Sequence, residues 1–457
     1  MKIIKKIPIF IIAVILALFH VNYIYSEEAY SAAPAKAMTI KDAIVMALMD
    51  NKSIQIQEEE LDYAKANIMY AKSLFLPLVT TGFGYAHTDS LLYSEPFANH
   101  RKDTRIYSGY INENLFGISA EESIYNGGAN IANLEQARLG LKAQEEILRT
   151  AKLEIEFETK RLFYGLLLAY ETRRIARDLV GQAEDHYEEV KEKYGQGTAS
   201  KFDCLQSKVQ VSRLIPQLVN ADNAIDLLMA EFKQLLFLNM IDEIAISGKL
   251  KYSEIEIKED EFLKEAYSGN PQMILKLMGI DISRWGIEFA KAGWLPQVSA
   301  NASYTYRSDD LANMINPRHD NWNAGIKASI AIFDGFSTKA KVDEAKARYR
   351  QSWLQKEDLT EQLAVDVKNA CLNLKEAKAI IEAERDTIIE AKEALRLSEV
   401  RFDNGVGINL DVLDSQVALA QVEQSLAQGK YDYIMAKAAL DRTMGRDFAR
   451  EASYYED

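Results

Sequence analysis

The stretch from Ser337 to Asn404 contains 68 residues and neither a proline nor a glycine. These two residues are the commonest helix breakers, so their absence over this length predicts one continuous helix. At 1.5 Å per residue such a helix would be about 100 Å long. An ordinary globular domain cannot enclose an element of this length, so the chain must form an elongated structure.

Apolar residues recur along this stretch in steps of four and three, with Glu384 as the polar exception. The apolar positions are Leu363, Val367, Ala370, Leu374, Ala377, Ile381, Ile388, Ala391 and Leu395. This heptad spacing is typical of helices that wind into a left-handed coiled coil. A glycine-containing turn at 403–407 and a second apolar-periodic segment follow, so we predict a long helical hairpin over 337–444.

The chain carries an internal repeat. The repeated pairs include Ala47 and Ala266, Asn51 and Asn270, and Pro77 and Pro296, all 219 residues apart (296 − 77). Further on, residues 124–127 match residues 332–335 at an offset of 208 (332 − 124). The difference of eleven is assigned to a longer loop in the first copy. A repeat of this size indicates one structural unit written twice.

Alternating apolar and polar residues follow each of the two prolines. This period of two predicts strands at about 78–87, 112–124, 298–307 and 321–333. Each strand has an apolar or aromatic face and a polar face, although Glu122 interrupts the second one. Such strands suit either a sandwich or a lipid-facing barrel.

The expected organisation has five parts. They are a signal peptide at 1–26, with cleavage as late as 37; a first repeat at 38–240 with its hairpin at 129–239; a linker of mixed strand character at 241–260; a second repeat at 261–445; and a tail at 446–457. The signal peptide is indicated by three lysines before the apolar run 7–19. In the first hairpin, we expect Pro216 to interrupt the return helix.

Composition narrows the function. The formal net charge of −14 argues against nucleic acid as a partner. The two cysteines, Cys204 and Cys371, lack nearby metal-ligand spacing, and no nucleophile motif or phosphate loop occurs. We therefore expect no enzyme activity and no cofactor.

Four long strands are too few to close a membrane barrel, which needs at least eight. An open edge in lipid would leave backbone groups unpaired. A barrel therefore requires several copies of the chain, with the long helices continuing from the strands.

The duplicated order of short helices, strand pair and long hairpin resembles the TolC-like outer-membrane efflux and secretion channels over roughly 39–444. The most specific patches are residues 332–335 and 402–417. The resemblance implies a mixed, mainly helical trimer, with a twelve-stranded outer-membrane β-barrel continued by a periplasmic coiled-coil α-barrel. It also implies outer-membrane lipid, a periplasmic adaptor and an inner-membrane transporter as partners.

Asp411 and Asp414 lie three residues apart, hence on one face of the predicted return helix. In a trimer they would form a ring of carboxylates able to select cations, and the resembling family has such a pair at its entrance. The alternative is that Asp411 is a first-turn carboxylate stabilised by the helix dipole. In the first repeat, Asp203 corresponds to Asp411 and Gln206 to Asp414.

The chain departs from the gate of the resembling family, in which a tyrosine and an arginine latch the hairpins together. Phe402 and Gly407 occupy those positions here. Closure of the channel entrance must then depend on other contacts, such as packing by Phe402. The resemblance also implies contact with the adaptor at the hairpin tips, the alternative being ordinary turns. These tip residues are Gly197, Thr198, Gly405, Val406, Gly407 and Ile408.

Aromatic residues fall near the predicted outer strand ends, at Tyr85, Tyr304, Tyr306 and Trp322. Tyrosine and tryptophan favour membrane interfaces, the alternative being that these residues lie in the core of a sandwich. The favoured function is a passive trimeric export duct for small molecules or proteins. The alternative is a secreted coiled-coil structural protein or adhesin with small β-domains.

Overall fold

The computed structural model describes residues 37–87, 92–94, 106–108, 112–309, 311 and 320–447. The expected signal peptide at 1–26 and the tail beyond residue 447 lie outside the described residues. Within the described ranges, none of the helices combines the length and apolarity needed to cross a membrane.

The helices are α1 (Ile40–Asp50), α2 (Lys52–Ser73), α3 (Ala129–Gly195), α4 (Lys201–Leu235), α5 (Glu259–Gly269), α6 (Pro271–Lys291), α7 (Ser337–Asp403) and α8 (Asn409–Met444). A 3₁₀ turn spans Ala292–Trp294. The strands are β1 (Leu78–His87), β2 (Leu92–Ser94), β3 (Ile106–Ser108), β4 (Asn112–Asn126), β5 (Gln297–Ser308) and β6 (Asp320–Ser329).

The two long hairpins are α3–α4 and α7–α8. Helix α7 has 67 residues, which confirms the single long helix predicted from the absence of proline and glycine. The heptad positions from Leu363 to Ile381 are buried, and Leu395 continues them toward the tip. The polar exception is accommodated because Glu384 accepts a hydrogen bond of 2.8 Å from Ser425 of α8.

The expected interruption at Pro216 is wrong, because α4 runs through this residue without a break. Proline removes one backbone donor from a helix and crowds the preceding turn. Here the neighbouring residue Leu214 is buried in a cluster with Leu179, Val180 and Ala183 of α3. Packing along α3 therefore holds the helix together across the missing hydrogen bond.

The short helices show the repeat at atomic detail. Asn51 ends α1 and caps α2, since its side chain accepts a hydrogen bond of 2.8 Å from the Ser53 amide. Asn270 does the same between α5 and α6, accepting from the Gln272 amide at 2.8 Å. The repeated Asn51 and Asn270 thus mark two equivalent helix junctions.

The main sheet has the order β1-β4-β5-β6, with every neighbouring pair antiparallel. The strand pair from each repeat therefore meets in the middle, where β4 lies against β5. The short pair β2 and β3 lies in the longer loop between β1 and β4 and has no clear periodic signal in the sequence.

The fourth long strand ends earlier than predicted, at Ser329 rather than near residue 333. Ser329 pairs with Gln297, the first residue of β5, and the preceding Pro296 has no amide hydrogen to extend the ladder. Residues Ile332 and Phe333 therefore leave the sheet, with 96% and 75% of their surface exposed.

The linker is also less strand-like than predicted. Its one bridge joins Ile246 to Met38, and the rest of 244–257 runs irregularly across the helices. Tyr433 of α8 holds it, since the tyrosine hydroxyl accepts a hydrogen bond of 3.0 Å from the Ile255 amide. Side-chain packing has replaced strand pairing in this segment.

Candidate functional site

One face of the sheet is apolar and exposed. Directly paired residues of antiparallel strands share a face, so the register places Phe83, Phe116 and Tyr306 in one row and Ile118, Tyr304 and Trp322 in another. The exposed fraction is 57% for Phe83, 75% for Ile326 and 71% for Trp322. These side chains are not the interior of a sandwich.

The opposite face of the sheet is polar. Across β1 and β4 the hydroxyls of Thr80 and Ser119 lie 2.8 Å apart. Across β4 and β5 the Arg307 guanidinium forms an ion pair of 2.6 Å with Glu113. The predicted division into an apolar and a polar face is therefore present, and the apolar face is exposed.

A β-bulge follows Glu122 in the second strand, and Glu122 itself pairs with Ala300 and lies on the apolar face. The register with β5 shifts by one residue between Ser123 and Tyr125. Because one inserted residue exchanges the two faces, Tyr125 returns to the apolar side opposite Val298.

The four predicted interface aromatics come together at one end of the apolar face. Tyr304 and Trp322 are direct partners across β5 and β6. The Tyr304 hydroxyl donates to Asp320 at 2.6 Å, and the Tyr85 hydroxyl donates to Asn112 at 3.1 Å. Tyr306 contacts the Tyr304 ring edge-on, with 5.2 Å between ring centres. This end lies about 23 Å along the strands from the short helices.

The hairpin tips lie at the far ends of the long helices. Gly197 and Gly405 have φ values of +82° and +71°, which favour glycine. The Thr198 hydroxyl donates a hydrogen bond of 3.0 Å to the Lys193 carbonyl. In the second turn, Val406 is 71% exposed and Ile408 is 60% exposed.

Gly407 is required for a steric reason. A Cβ atom there would lie 2.9 Å from the Phe402 amide nitrogen and 3.0 Å from the Arg401 carbonyl carbon. The position where the resembling family carries an arginine therefore cannot hold a side chain in this turn.

The three acidic residues predicted to line the entrance are in different situations. Asp414 is exposed, and Asp411 is half-buried in the first turn of α8, where the helix dipole favours a carboxylate. Asp203 instead caps its own helix, accepting from the Ser200 hydroxyl at 2.5 Å and the Ser200 amide at 3.1 Å. Its carboxylate is engaged locally, unlike that of its repeat counterpart Asp411.

A groove of about 1060 Å³ runs above the tips between α3, α4 and α8. Asp414 lines it together with glutamines from both return helices, which are Gln206, Gln210, Gln217, Gln421, Gln424 and Gln428. The groove thus combines amide and apolar side chains, and Asp414 and Arg213 are the charged residues among its described lining.

Phe402 joins the second hairpin to the first. Its ring lies edge-on to His186 of α3, with 5.1 Å between ring centres, and the Lys193 ammonium lies 4.3 Å from the Phe402 ring centre. Lys193 also forms ion pairs with Asp403 at 3.0 Å and with Glu189 at 2.6 Å. A hydrogen bond with Glu189, and then one from Lys193, lower the pKa of Asp403.

Asn409 is the tip residue that sequence reasoning missed. It is 3% exposed, and its Oδ1 lies 2.7 Å from His186 Nε2 and 3.0 Å from the Ser207 hydroxyl. Its Nδ2 donates to the Asp203 carbonyl at 3.3 Å and to Gln206 Oε1 at 3.1 Å. Since Oδ1 is then the acceptor, His186 donates from Nε2.

A second buried amide lies one heptad further along α8. Gln416 is 3% exposed and donates to the Gln182 carbonyl of α3 at 3.3 Å. Among the described residues none donates to its Oε1, and an unsatisfied buried acceptor costs about 1–3 kcal/mol. The heptad spacing of two amides at seam positions was the available sequence signal.

Comparison with known proteins decides the family. The outer membrane efflux protein family model matches residues 43–236 and 262–446, one segment in each repeat. The chain belongs to the outer membrane efflux protein family. The resemblance stated from the sequence is thereby confirmed.

Relatives of this efflux-family chain include secretion and efflux components. It is similar to the alkaline protease secretion protein AprF of Pseudomonas aeruginosa, with 22% identity over 414 residues, 89% of this chain and 84% of that protein. It is similar to outer membrane protein TolC of Escherichia coli, with 18% identity over 422 residues, 90% of this chain and 83% of that protein.

Solved structures share the fold. The outer membrane protein VceC of Vibrio cholerae matches with a TM-score of 0.76 and 16% identity, over 90% of this chain and 96% of that one. The CmeC outer membrane channel of Campylobacter jejuni matches with a TM-score of 0.78 and 16% identity, over 91% and 88%. The predicted mainly helical, duplicated architecture is confirmed.

The efflux family fixes location and general role. Its members are exit ducts of the Gram-negative outer membrane that extend into the periplasm, and this chain is one of them. The uncovered apolar face is consistent with contact with lipid.

Proposed function

We propose that three copies of the chain form a passive exit duct. Each copy would contribute its four long strands to a twelve-stranded barrel and its two hairpins to a periplasmic helical barrel. The observation that carries the proposal is the exposed apolar face, which includes Phe83, Trp322 and Ile326. A lipid environment stabilises this face, whereas water does not.

The sheet margins support assembly. Within the described chain, β1 and β6 each pair with one main-sheet neighbour only. A free edge in lipid costs several kcal/mol for each unpaired backbone group. Joining β6 of one copy to β1 of the next removes both margins and closes the cylinder.

The hairpin tips would bind a periplasmic adaptor, which connects the duct to an inner-membrane transporter. Val406 and Ile408 support this role, since apolar side chains at a tip are otherwise unfavourable in water. Gly197, Thr198, Gly405 and Gly407 shape the two turns that would present this surface. The transporter, rather than the duct, would select between small molecules and proteins.

Asp411 and Asp414 would form the entrance ring. Asp414 is exposed beside the groove, and the two carboxylates lie on one helix face. Asp203 is a weaker candidate because its carboxylate caps α4. Six carboxylates around a narrow axis would attract cations and repel one another as the entrance closes.

Catalysis has no part in this function, since the duct only encloses a path. The alternative reading, a secreted rod with small β-domains, would require that something cover the apolar face. The helices leave that face exposed, so the duct is the better supported function.

The decisive experiment combines assembly and conduction. Chemical cross-linking in detergent should give a trimer, the outer-membrane fraction should show heat-modifiable gel migration, and purified protein should conduct ions in planar bilayers. Val406→Asp with Ile408→Asp should abolish co-purification of the adaptor while leaving conduction intact. A stable water-soluble monomer without conductance would contradict the proposal.

A further inference from the structure

Asn409 lies where the second hairpin turns back into its return helix. It is the first residue of α8, directly after the tip of the second hairpin. Its side chain points away from that hairpin, and the four polar groups it contacts all belong to α3 or α4 of the first. The amide therefore joins two hairpins that are separated in sequence by the linker, two short helices and two strands.

The hydrogen-bonding capacity of the amide is fully used. Oδ1 accepts from His186 and faces the Ser207 hydroxyl, while Nδ2 has two acceptors. His186 and Ser207 are 6% and 0% exposed, so the network is shielded from water. The His186 Nε2 contact exists only when the tips meet in this register, whereas the Ser207 hydroxyl also lies 3.0 Å from the Asp203 carbonyl of its own helix.

The position of the network within the seam is unusual. Along α8 the inward positions Asn409, Val412, Gln416 and Leu419 follow heptad steps of three, four and three. Two of the four are amides directed at the first hairpin. In the body of the second hairpin, the seam positions of α7 from Val367 to Ile381 are apolar. A polar residue in a coiled-coil seam specifies register and lowers stability.

A polar junction opens differently from an apolar one. When the tips separate, water can replace the hydrogen bonds of Asn409, so the net loss is small. An apolar junction would instead expose hydrophobic surface to water. The tips are therefore joined specifically but reversibly, while the apolar body keeps the hairpins together further up.

We propose that Asn409 is the latch that holds the entrance closed, in place of the tyrosine and arginine latch that this chain lacks. The inference rests on the proposed duct function and adds the residue that governs its opening. Release of Asn409 from His186 and Ser207 frees the second hairpin tip to move outward. Asn409 acts on the opening through the position of the helix that carries Asp411 and Asp414.

The test is the gating of single channels in planar bilayers. Asn409→Ala should increase the ratio of open to closed dwell times about tenfold, because buried hydrogen bonds between the hairpins are lost. Asn404→Ala is the matched control, since among the described residues its side chain donates to the Val400 carbonyl of its own helix and to no group of the first hairpin. This control should gate like the wild type.

Ser207→Ala provides a second approach from the first hairpin and makes a smaller structural change. It should shift gating in the same direction, and in the Asn409→Ala background it should add little, because both changes break one network. If the wild type gates and both Asn409→Ala and Ser207→Ala gate identically to it, the latch proposal is wrong and the duct proposal is unaffected. A wild type without any conductance would overturn both.

Discussion

The ammonium of Lys193 lies 4.3 Å from the centre of the Phe402 ring, so a cation of the first hairpin covers an aromatic ring of the second. The same ammonium pairs with Asp403, the residue that follows Phe402. This small cluster stands where the resembling family places its tyrosine. We propose that ring packing and charge at this cluster replace part of the contribution of the missing hydroxyl to closing the entrance.

Replacement of the ring should loosen the tips. Phe402→Ala removes the contacts with His186 and Lys193 and should destabilise the closed junction by about 1–2 kcal/mol. Hydrogen exchange of the α7 C-terminal turn should become faster. Phe202→Ala is a suitable control, because Phe202 lies at the other tip and is 73% exposed. Equal exchange in both variants would exclude packing by Phe402 as a closing contact.

Acid should also weaken this junction. A carboxyl whose pKa is lowered on folding stabilises the folded state above its unfolded pKa, and this contribution is lost as the pH falls through the folded value. Hydrogen bonds with Glu189 and Lys193 lower the pKa of Asp403, so we expect opening to increase below about pH 4. The measurement is the ratio of open to closed dwell times between neutral and acid pH.

Asp403→Asn isolates this effect. Burial raises the pKa of Glu399 nearby, and that group acts in the opposite direction as the pH falls. The variant should gate more openly at neutral pH and lose the acid-dependent increase attributed to Asp403. An unchanged acid profile would assign the pH dependence to another group.

The entrance carboxylates should control ion selectivity. Asp411→Ala with Asp414→Ala should lower the cation-to-anion permeability ratio and weaken block by a trivalent cation about tenfold. Asp432→Ala is the control, since it removes a carboxylate from the same helix about 27 Å away. If selectivity and block in the double variant match those of the wild type, the ring is not at the constriction.

A charged residue introduced on the apolar face of the sheet should destabilise the assembled protein in the membrane. Ile326→Lys places an ammonium on that face of β6 and should cost about 2–4 kcal/mol near the bilayer midplane. The amount of heat-modifiable trimer in the outer membrane should fall. Asn323→Lys lies on the opposite face of the same strand, which already carries Lys327, and should assemble normally. Similar losses in both variants would contradict the assignment of the lipid-facing side.

The predictability of the fold differs between elements for physical reasons. Helix α7 and strand β5 were predictable because a long heptad pattern and a strict alternation depend only on local sequence. Pro216 misled the prediction because packing against Leu179 and Ala183 of α3 outweighs a local breaker. The end of β6 depends on where its partner β5 begins, which no local pattern records.

The candidate site was predictable only in part. The acidic pair and the glycine turns are visible as short motifs, and the structure places them at the hairpin tips. The roles of Asp411, Asp414 and the tip glycines remain predictions. Asn409 was missed because its partners, His186 and Ser207, lie more than 200 residues earlier in the chain.

The two unpaired sheet margins have a genetic consequence. In the proposed trimer, each chain pairs with one neighbouring copy through β1 and with another through β6. One defective edge strand therefore prevents closure even when the other copies are normal. If defective and normal chains are made in equal amounts and mix freely, about one trimer in eight contains no defective chain. Edge-strand mutations should therefore be dominant-negative. Co-expression with the wild-type gene should reduce the amount of functional trimer.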